Sequence, residues 1–188
     1  MLDRVREALF STLGPGIEGA FSLDLFAGSG SLGLEALSRG AAYARLVEES
    51  SSVVSVLRDN VETLGVGERV EILGTSALNP STWRPPAGEP DRWADAIFFD
   101  PPYPHLGDER RGGLFAAVRT LAHEVLRPGG LLVFHTPKRG VTELDFGVGL
   151  EIWRKTYGSS ALWYVRGPEV EAPEGESGAD ETGDEPAQ

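Results

Sequence analysis

Strands that alternate with helices, a glycine turn directly after the first strand and a proline turn after the fourth predict an α/β protein. The expected architecture is a Rossmann-like, mostly parallel, doubly wound sheet, closed by an antiparallel hairpin at the C-terminal end. In such sheets ligands bind at the carboxyl edge of the strands, and both turns fall on that edge.

The elements follow from local pattern. Val5, Leu9, Phe10 and Leu13 recur at helical spacing behind Asp3, which predicts a helix over Leu2–Leu13. The run Ala20–Phe26 reads as the first strand, and Leu32–Ser38 as a helix opened by the glycine turn and stopped by Gly40. Ala44–Val47 is a short second strand. Val53, Val54, Leu57, Val61 and Leu64 give Val53–Leu64 one apolar helical face, and Arg69–Leu73 forms the third strand. The Pro- and Gly-rich stretch Asn79–Arg92 is expected on the surface as a loop. Asp95–Phe99 is the fourth strand and Leu114–Leu126 a helix. Arg127-Pro128-Gly129-Gly130 stops that helix before a buried fifth strand, Leu131–His135. Leu150–Tyr157 and Ala161–Arg166 alternate around Gly158-Ser159-Ser160, as a hairpin does.

At 188 residues the chain suffices for one domain with a sizeable core, expected over 1–166 with 1–18 as N-terminal helix and lead-in. Gly167–Gln188 carries eight acids and no base, and is rich in Gly, Pro, Ser and Ala without aromatics. Such a segment buries too little to fold, so 167–188 is expected to be an acidic disordered tail. Subtracting its eight charges from the net charge of −12 leaves −4 for the body, which permits nucleic-acid binding if the bases cluster on one face. With no cysteine, disulfides and thiolate metal sites are excluded, and no metal is expected. His123 and His135 read as satisfied core or surface histidines, while His105, two residues after Tyr103, is near enough to line a site. No apolar run reaches membrane length and Met1 is followed by Asp3, Arg4, Arg6 and Glu7, so a cytoplasmic protein with no membrane partner is expected.

Two motifs carry chemistry. Asp100-Pro101-Pro102-Tyr103 follows the apolar run Ala96–Phe99. An exocyclic amine on a nucleobase is a poor nucleophile because its lone pair is delocalised into the ring. Acceptors that take both amine hydrogens turn the lone pair toward an electrophile. Asp100 offers a carboxylate and Pro101 a carbonyl without a competing N–H. Two prolines, Pro101 and Pro102, stiffen the turn, and Tyr103 offers a ring face for the base. The second motif, Asp24-Leu25-Phe26-Ala27-Gly28-Ser29-Gly30 with Gly33, satisfies the dinucleotide fingerprint, and Glu48 follows at ribose-binding distance. A nicotinamide cofactor is therefore one reading. Asp24 favours S-adenosylmethionine instead, because a carboxylate suits the methionine ammonium and would repel a pyrophosphate. Glu48 would accept from the ribose hydroxyls, and Ser76-Ala77 would lie on the same carboxyl edge.

Together with Asp3-Arg4-Val5-Arg6-Glu7-Ala8-Leu9-Phe10, Leu34–Ala41 and Leu46-Val47-Glu48, these motifs resemble the RsmD family of bacterial 16S rRNA guanine-N2 methyltransferases. The resemblance runs from Asp3 to about Arg166. It implies the Rossmann-like class I S-adenosylmethionine-dependent methyltransferase fold with a seven-stranded sheet. It also implies S-adenosyl-L-methionine as donor, S-adenosyl-L-homocysteine as product, and 16S rRNA or a small-subunit assembly particle as partner; the sequence is silent on oligomeric state, and a monomer is the working expectation. Family members usually carry a basic segment ending in Arg-Pro-Thr before the first helix, and often an acid where Ser76 stands; by that resemblance the Ser76 hydroxyl or the Ala77 N–H would meet the adenine edge. Arg4, Arg6, Arg110, Arg111, Lys138 and Arg139 are the candidate phosphate contacts, with Arg110-Arg111 in the loop after strand four. Adenine N6, in RNA or DNA, is the alternative acceptor, though no segment is long enough for the recognition insertion usual in DNA enzymes. Methylation of a protein glutamine fits less well, since those relatives show Asn before Pro-Pro-Tyr.

Overall fold

A computed structural model describes residues 3–169. Seven strands form one sheet in the order β3-β2-β1-β4-β5-β7-β6. The strands are β1 (Phe21–Leu25), β2 (Tyr43–Val47), β3 (Val70–Leu73), β4 (Ala94–Phe99), β5 (Leu126–Pro137), β6 (Glu151–Tyr157) and β7 (Ser160–Arg166). The first five are mutually parallel, and β7 runs antiparallel to both β5 and β6. The hairpin therefore adds two strands to one edge. Strand order reverses between β1 and β4, which opens the crevice where such sheets bind ligands.

Helices cover both faces because the central strands are apolar on both sides. On one face Leu23, Leu25, Ile97, Phe99, Leu132 and Phe134 pack under α4 (Asp108–Thr120). On the other, Leu46, Ala96, Phe98 and Val133 pack under α1 (Asp3–Leu13) and α2 (Ser31–Ser38), joined by Leu57 and Val61 of α3 (Ser51–Thr63). Helix α1 runs against the strand direction: Phe10 meets the Phe98 ring at 5.6 Å, while Thr12 and Leu13 border Asp95 and Ala96. Its first turn, with exposed Arg4, is thus directed toward the carboxyl edge.

Three expectations change. Helix α4 begins at Asp108, six residues before the expected Leu114 and in spite of Gly112 and Gly113, with Arg111 held by Asp145 and over the Phe115 ring. A single π turn, Leu121–Val125, ends it, and β5 then takes in the Arg-Pro-Gly-Gly stretch at the cost of a register shift opposite Ala94 and Ala96. The 79–92 connection is anchored rather than loose. Pro80–Trp83 forms a 3-10 turn with Trp83 buried, and the Arg45 guanidinium donates to the carbonyls of Thr82 and Arg84. Gly167 exchanges backbone hydrogen bonds with Gly129 and Gly130, and Arg92 donates to the Pro168 carbonyl at 2.6 Å. Residues 170–188, most of the expected tail, lie outside the described residues.

Candidate active site

Register fixes which side chains meet at the carboxyl edge. Asp24 pairs with Phe98, and Phe98 pairs with Val133. Two residues further along, on the same face, stand Asp100 after β4 and His135 in β5. The apolar stripes thus end in polar tips at one level, with Asp24 a pleat deeper. Above them opens a cavity of about 610 Å³ lined by Phe26, Gly28, Glu48, Glu49 and Ala77, by Asp100–Tyr103, and by His135, Ser159 and Ser160.

The glycine turn is built by backbone geometry. Phe26 (φ 68°), Gly28 (φ 55°) and Gly30 (φ 89°) take left-handed conformations, and Phe26 does so as a bulky residue, the strain expected where a loop is shaped for a ligand. Gly33 serves packing, since a Cβ there would lie 2.1 Å from Leu46 Cδ2. Glu48 closes the turn from outside: its carboxylate accepts from the Gly28 N–H at 3.0 Å and from the Ser50 N–H at 2.8 Å.

Asp24 is fully buried and does not line the cavity. Its Oδ2 accepts from the Gly33 N–H at 2.8 Å, and its Oδ1 has no hydrogen-bond partner. Burial pushes its carboxyl up to about 8; the Gly33 N–H opposes this, and the charges of Asp100 and Glu48 add to the rise. Among the cavity's lining residues are three acids (Glu48, Glu49, Asp100) and no Lys or Arg. An orphaned buried carboxyl oxygen behind a cavity lined by three acids suits a cationic ligand, which would favour its ionised form, and opposes a pyrophosphate.

At the other wall, Asp100 Oδ1 accepts from His135 Nδ1 at 2.7 Å. Tyr103, 45 % exposed, keeps a ring face toward solvent while its hydroxyl lies 3.0 Å from Ser160 Oγ and 3.4 Å from His135 Nε2. His135 is buried and has partners on both ring nitrogens, as a satisfied histidine does, but it also lines the cavity, which was not expected. The signal that could have found it is its place as the last residue on the Leu131-Val133-His135 face of a strand beside the Asp-Pro-Pro-Tyr turn.

Other expected residues are placed less directly. Ala77 lines the main cavity, but Ser76 is exposed and lines an adjoining one of about 350 Å³ with Phe26, Glu49, His105 and Arg110. Ala27 is buried, Ser29 exposed and Gly30 buried under Leu34 and Leu57, so these three shape the turn from behind. Arg110 and Arg111 sit in the first turn of α4, not in a loop. Arg111 is tied to Asp145 at 2.7 Å and lies over the Phe115 ring, while exposed Arg110 meets His105 Nε2 at 3.0 Å. Lys138 and Arg139 are exposed beside the Gly158-Ser159 turn, and Arg6 pairs with Asp3 at 3.0 Å.

Sheet order, the cavity at the strand-order reversal and the turn that floors it define the class I S-adenosylmethionine-dependent methyltransferase architecture. A family model described as "Conserved hypothetical protein 95" matches residues 1–166. The chain belongs to that family, the RsmD-type methyltransferases. A relative from Escherichia coli K12 named Ribosomal RNA small subunit methyltransferase D is 41% identical over 119 residues, covering 63% of this chain and 54% of the relative. The chain spans about half the length of the curated relatives it matches. Among solved structures, a hypothetical protein of Thermus thermophilus aligns with a TM-score of 0.66 at 33% identity, covering 88% of this chain and 86% of that one. A Salinibacter ruber RNA methyltransferase in complex with S-adenosyl-L-homocysteine shares the fold at 17% identity, with a TM-score of 0.64 and coverage of 93% and 96%.

Proposed function

We propose that this protein transfers a methyl group from S-adenosylmethionine to the exocyclic N2 amine of a guanine in 16S rRNA. The observation that carries this reading is the Asp100-Pro101-Pro102-Tyr103 turn, set on an acidic carboxyl-edge cavity with Tyr103 exposed beside it. When bound, S-adenosylmethionine supplies an electrophilic methyl on a sulfonium. Asp24 and the Gly28–Gly30 backbone would hold its methionine portion, Glu48 its ribose hydroxyls, and Ala77 with Ser76 its adenine edge. Asp100 and the Pro101 carbonyl orient the acceptor amine, and the Asp100 carboxylate takes the proton that nitrogen loses as its new N–C bond forms. Tyr103 stacks on a base withdrawn from its helix or loop. Arg4, Arg110, Lys138 and Arg139 are exposed cations on the same side for phosphate contacts, whereas Arg6 and Arg111 are held in ion pairs.

Asp100→Ala tests the reading. It should leave S-adenosylmethionine binding nearly intact and lower methyl transfer to 16S rRNA about 1,000-fold, roughly 4 kcal/mol of barrier. Near-normal turnover in the variant refutes the role of Asp100. Mass mapping of the methylated rRNA separates guanine N2 from adenine N6, and binding of NAD in place of S-adenosylmethionine would sink the whole assignment.

A further inference from the structure

The side chain of a carboxylate at a strand end turns broadly about its terminal torsion, so the chain must fix the direction of Asp100 by other means. His135 meets that requirement. Continuing the β4–β5 register past Phe99↔Phe134 sets Asp100 opposite His135. The His135 side chain is 7 % exposed, and its Nδ1–H donates to Asp100 Oδ1 at 2.7 Å. Its other nitrogen faces the Tyr103 hydroxyl at 3.4 Å, which in turn contacts Ser160 Oγ at 3.0 Å. The positions behind it on the same strand face are Leu131 and Val133, so an aliphatic side chain would continue the stripe if packing were the only demand.

We propose that His135 is a positioning residue for methyl transfer. Its Nδ1–H aims the Asp100 carboxylate at the acceptor amine, and the Tyr103–Ser160 pair steadies the ring that does the aiming. The proposal rests on the reading of Asp100 given above. An imidazole N–H suits this place better than a fixed cation. An arginine would place a permanent positive charge in a cavity whose proposed donor is itself cationic, and would weaken Asp100 as a proton acceptor. Imidazole supplies direction without that charge. The groups that face it are Asp100 from the end of β4, Tyr103 from the turn and Ser160 from β7, where Leu162 is its register partner; Glu48 and Glu49 lie elsewhere around the same cavity.

Two substitutions separate aiming from packing. His135→Leu keeps bulk and removes the donor, whereas His135→Asn can set a neutral N–H where Nδ1 stood. In single-turnover assays at saturating S-adenosylmethionine, the Leu variant should lose about 100-fold in rate and the Asn variant about 5-fold or less. The dissociation constant for S-adenosylmethionine and the KM for rRNA should move less than about threefold in both. In an Asp100→Ala background His135→Leu should cost nothing further, because the two act as a unit. Imidazole nitrogen NMR on the ligand-free native protein gives a readout independent of turnover: His135 should hold its proton on Nδ1, and Asp100→Asn should shift that signal. Equal losses in the Leu and Asn variants, a native rate in the Leu variant, or a proton on Nε2 would overturn the proposal. If the native protein neither binds S-adenosylmethionine nor methylates rRNA, the functional reading fails instead, and the NMR arm still decides whether His135 and Asp100 are coupled.

Discussion

Asp24 is the most perturbed acid in the site, and its consequences run against the usual behaviour of carboxylates. Burial lifts its pKa from 3.8 to about 8, so the folded protein keeps a proton there that the unfolded chain releases near pH 4. Its contribution to stability is fully present below about pH 4 and is lost as pH rises toward 8. Thermal melts of the ligand-free native protein should therefore show stability declining over that window. Asp24→Asn, which keeps an acceptor for the Gly33 N–H, should flatten the decline; equal slopes in both proteins would show that Asp24 is not the titrating group. Glu48 offers a second test at this scale. Both Glu48 and Glu49 line the cavity, because β2 ends at Val47 and strand alternation no longer separates them. Only Glu48 is fastened, by the Gly28 and Ser50 N–H groups, while Glu49 is exposed. Glu48→Ala should weaken S-adenosylmethionine binding by about 1–3 kcal/mol and Glu49→Ala by less. Calorimetry with the order reversed would move the ribose contact to Glu49.

Among the elements, α2 is the one whose sequence is most constrained by a neighbour. It packs on β1 and β2 so closely that Gly33 has no room for a methyl group: the added carbon would sit 2.1 Å from Leu46 Cδ2 and 3.4 Å from Asp24. Leu46 is fully buried and has nowhere cheap to turn. Gly33→Ala should cost about 1–3 kcal/mol by overpacking and lower the melting temperature by about 3–10 °C. An unchanged melting curve would mean that α2 shifts freely, and the glycine would then owe its place to something else. Helix α4 teaches a different point. The Asp-Glu-Arg-Arg-Gly-Gly segment before Leu114 has no apolar periodicity and was legible only as a loop, yet it is helical because Arg111 reaches Asp145 and covers Phe115. The partner that decides its structure is 34 residues away in sequence.

For the whole molecule the question is how a chain of net charge −12 would meet the proposed RNA substrate. Seven of the acids fall after residue 170, beyond the Arg92–Pro168 contact that fastens the last described turn. Deleting 170–188 leaves the Arg92–Pro168 contact in place, and the melting temperature of the body should change by less than about 1 °C. RNA affinity at low salt should rise about two- to fivefold, with the gain shrinking as salt screens the acids. Filter binding that gives equal affinities at low salt would reduce the segment to a solubility element.

What the sequence determined by itself was the periodic part of the molecule and the motifs locked to it. Every strand was legible in β-rich or alternating runs, and the two turns could be assigned to one edge because alternation of strands and helices leaves a parallel sheet a single carboxyl side. Family membership was legible for the same reason, since Asp24–Gly33, Glu48 and Asp100–Tyr103 are each local in sequence. Tertiary structure alone decided what depends on register and burial. It sank Asp24 a pleat below the cavity, divided Ser76 from Ala77 between two cavities, and set His135 against Asp100. A histidine at the end of an apolar strand reads as core until the neighbouring strand's register is known. That register is fixed by the packing of Phe98 and Val133 under α1, a contact between residues far apart along the chain.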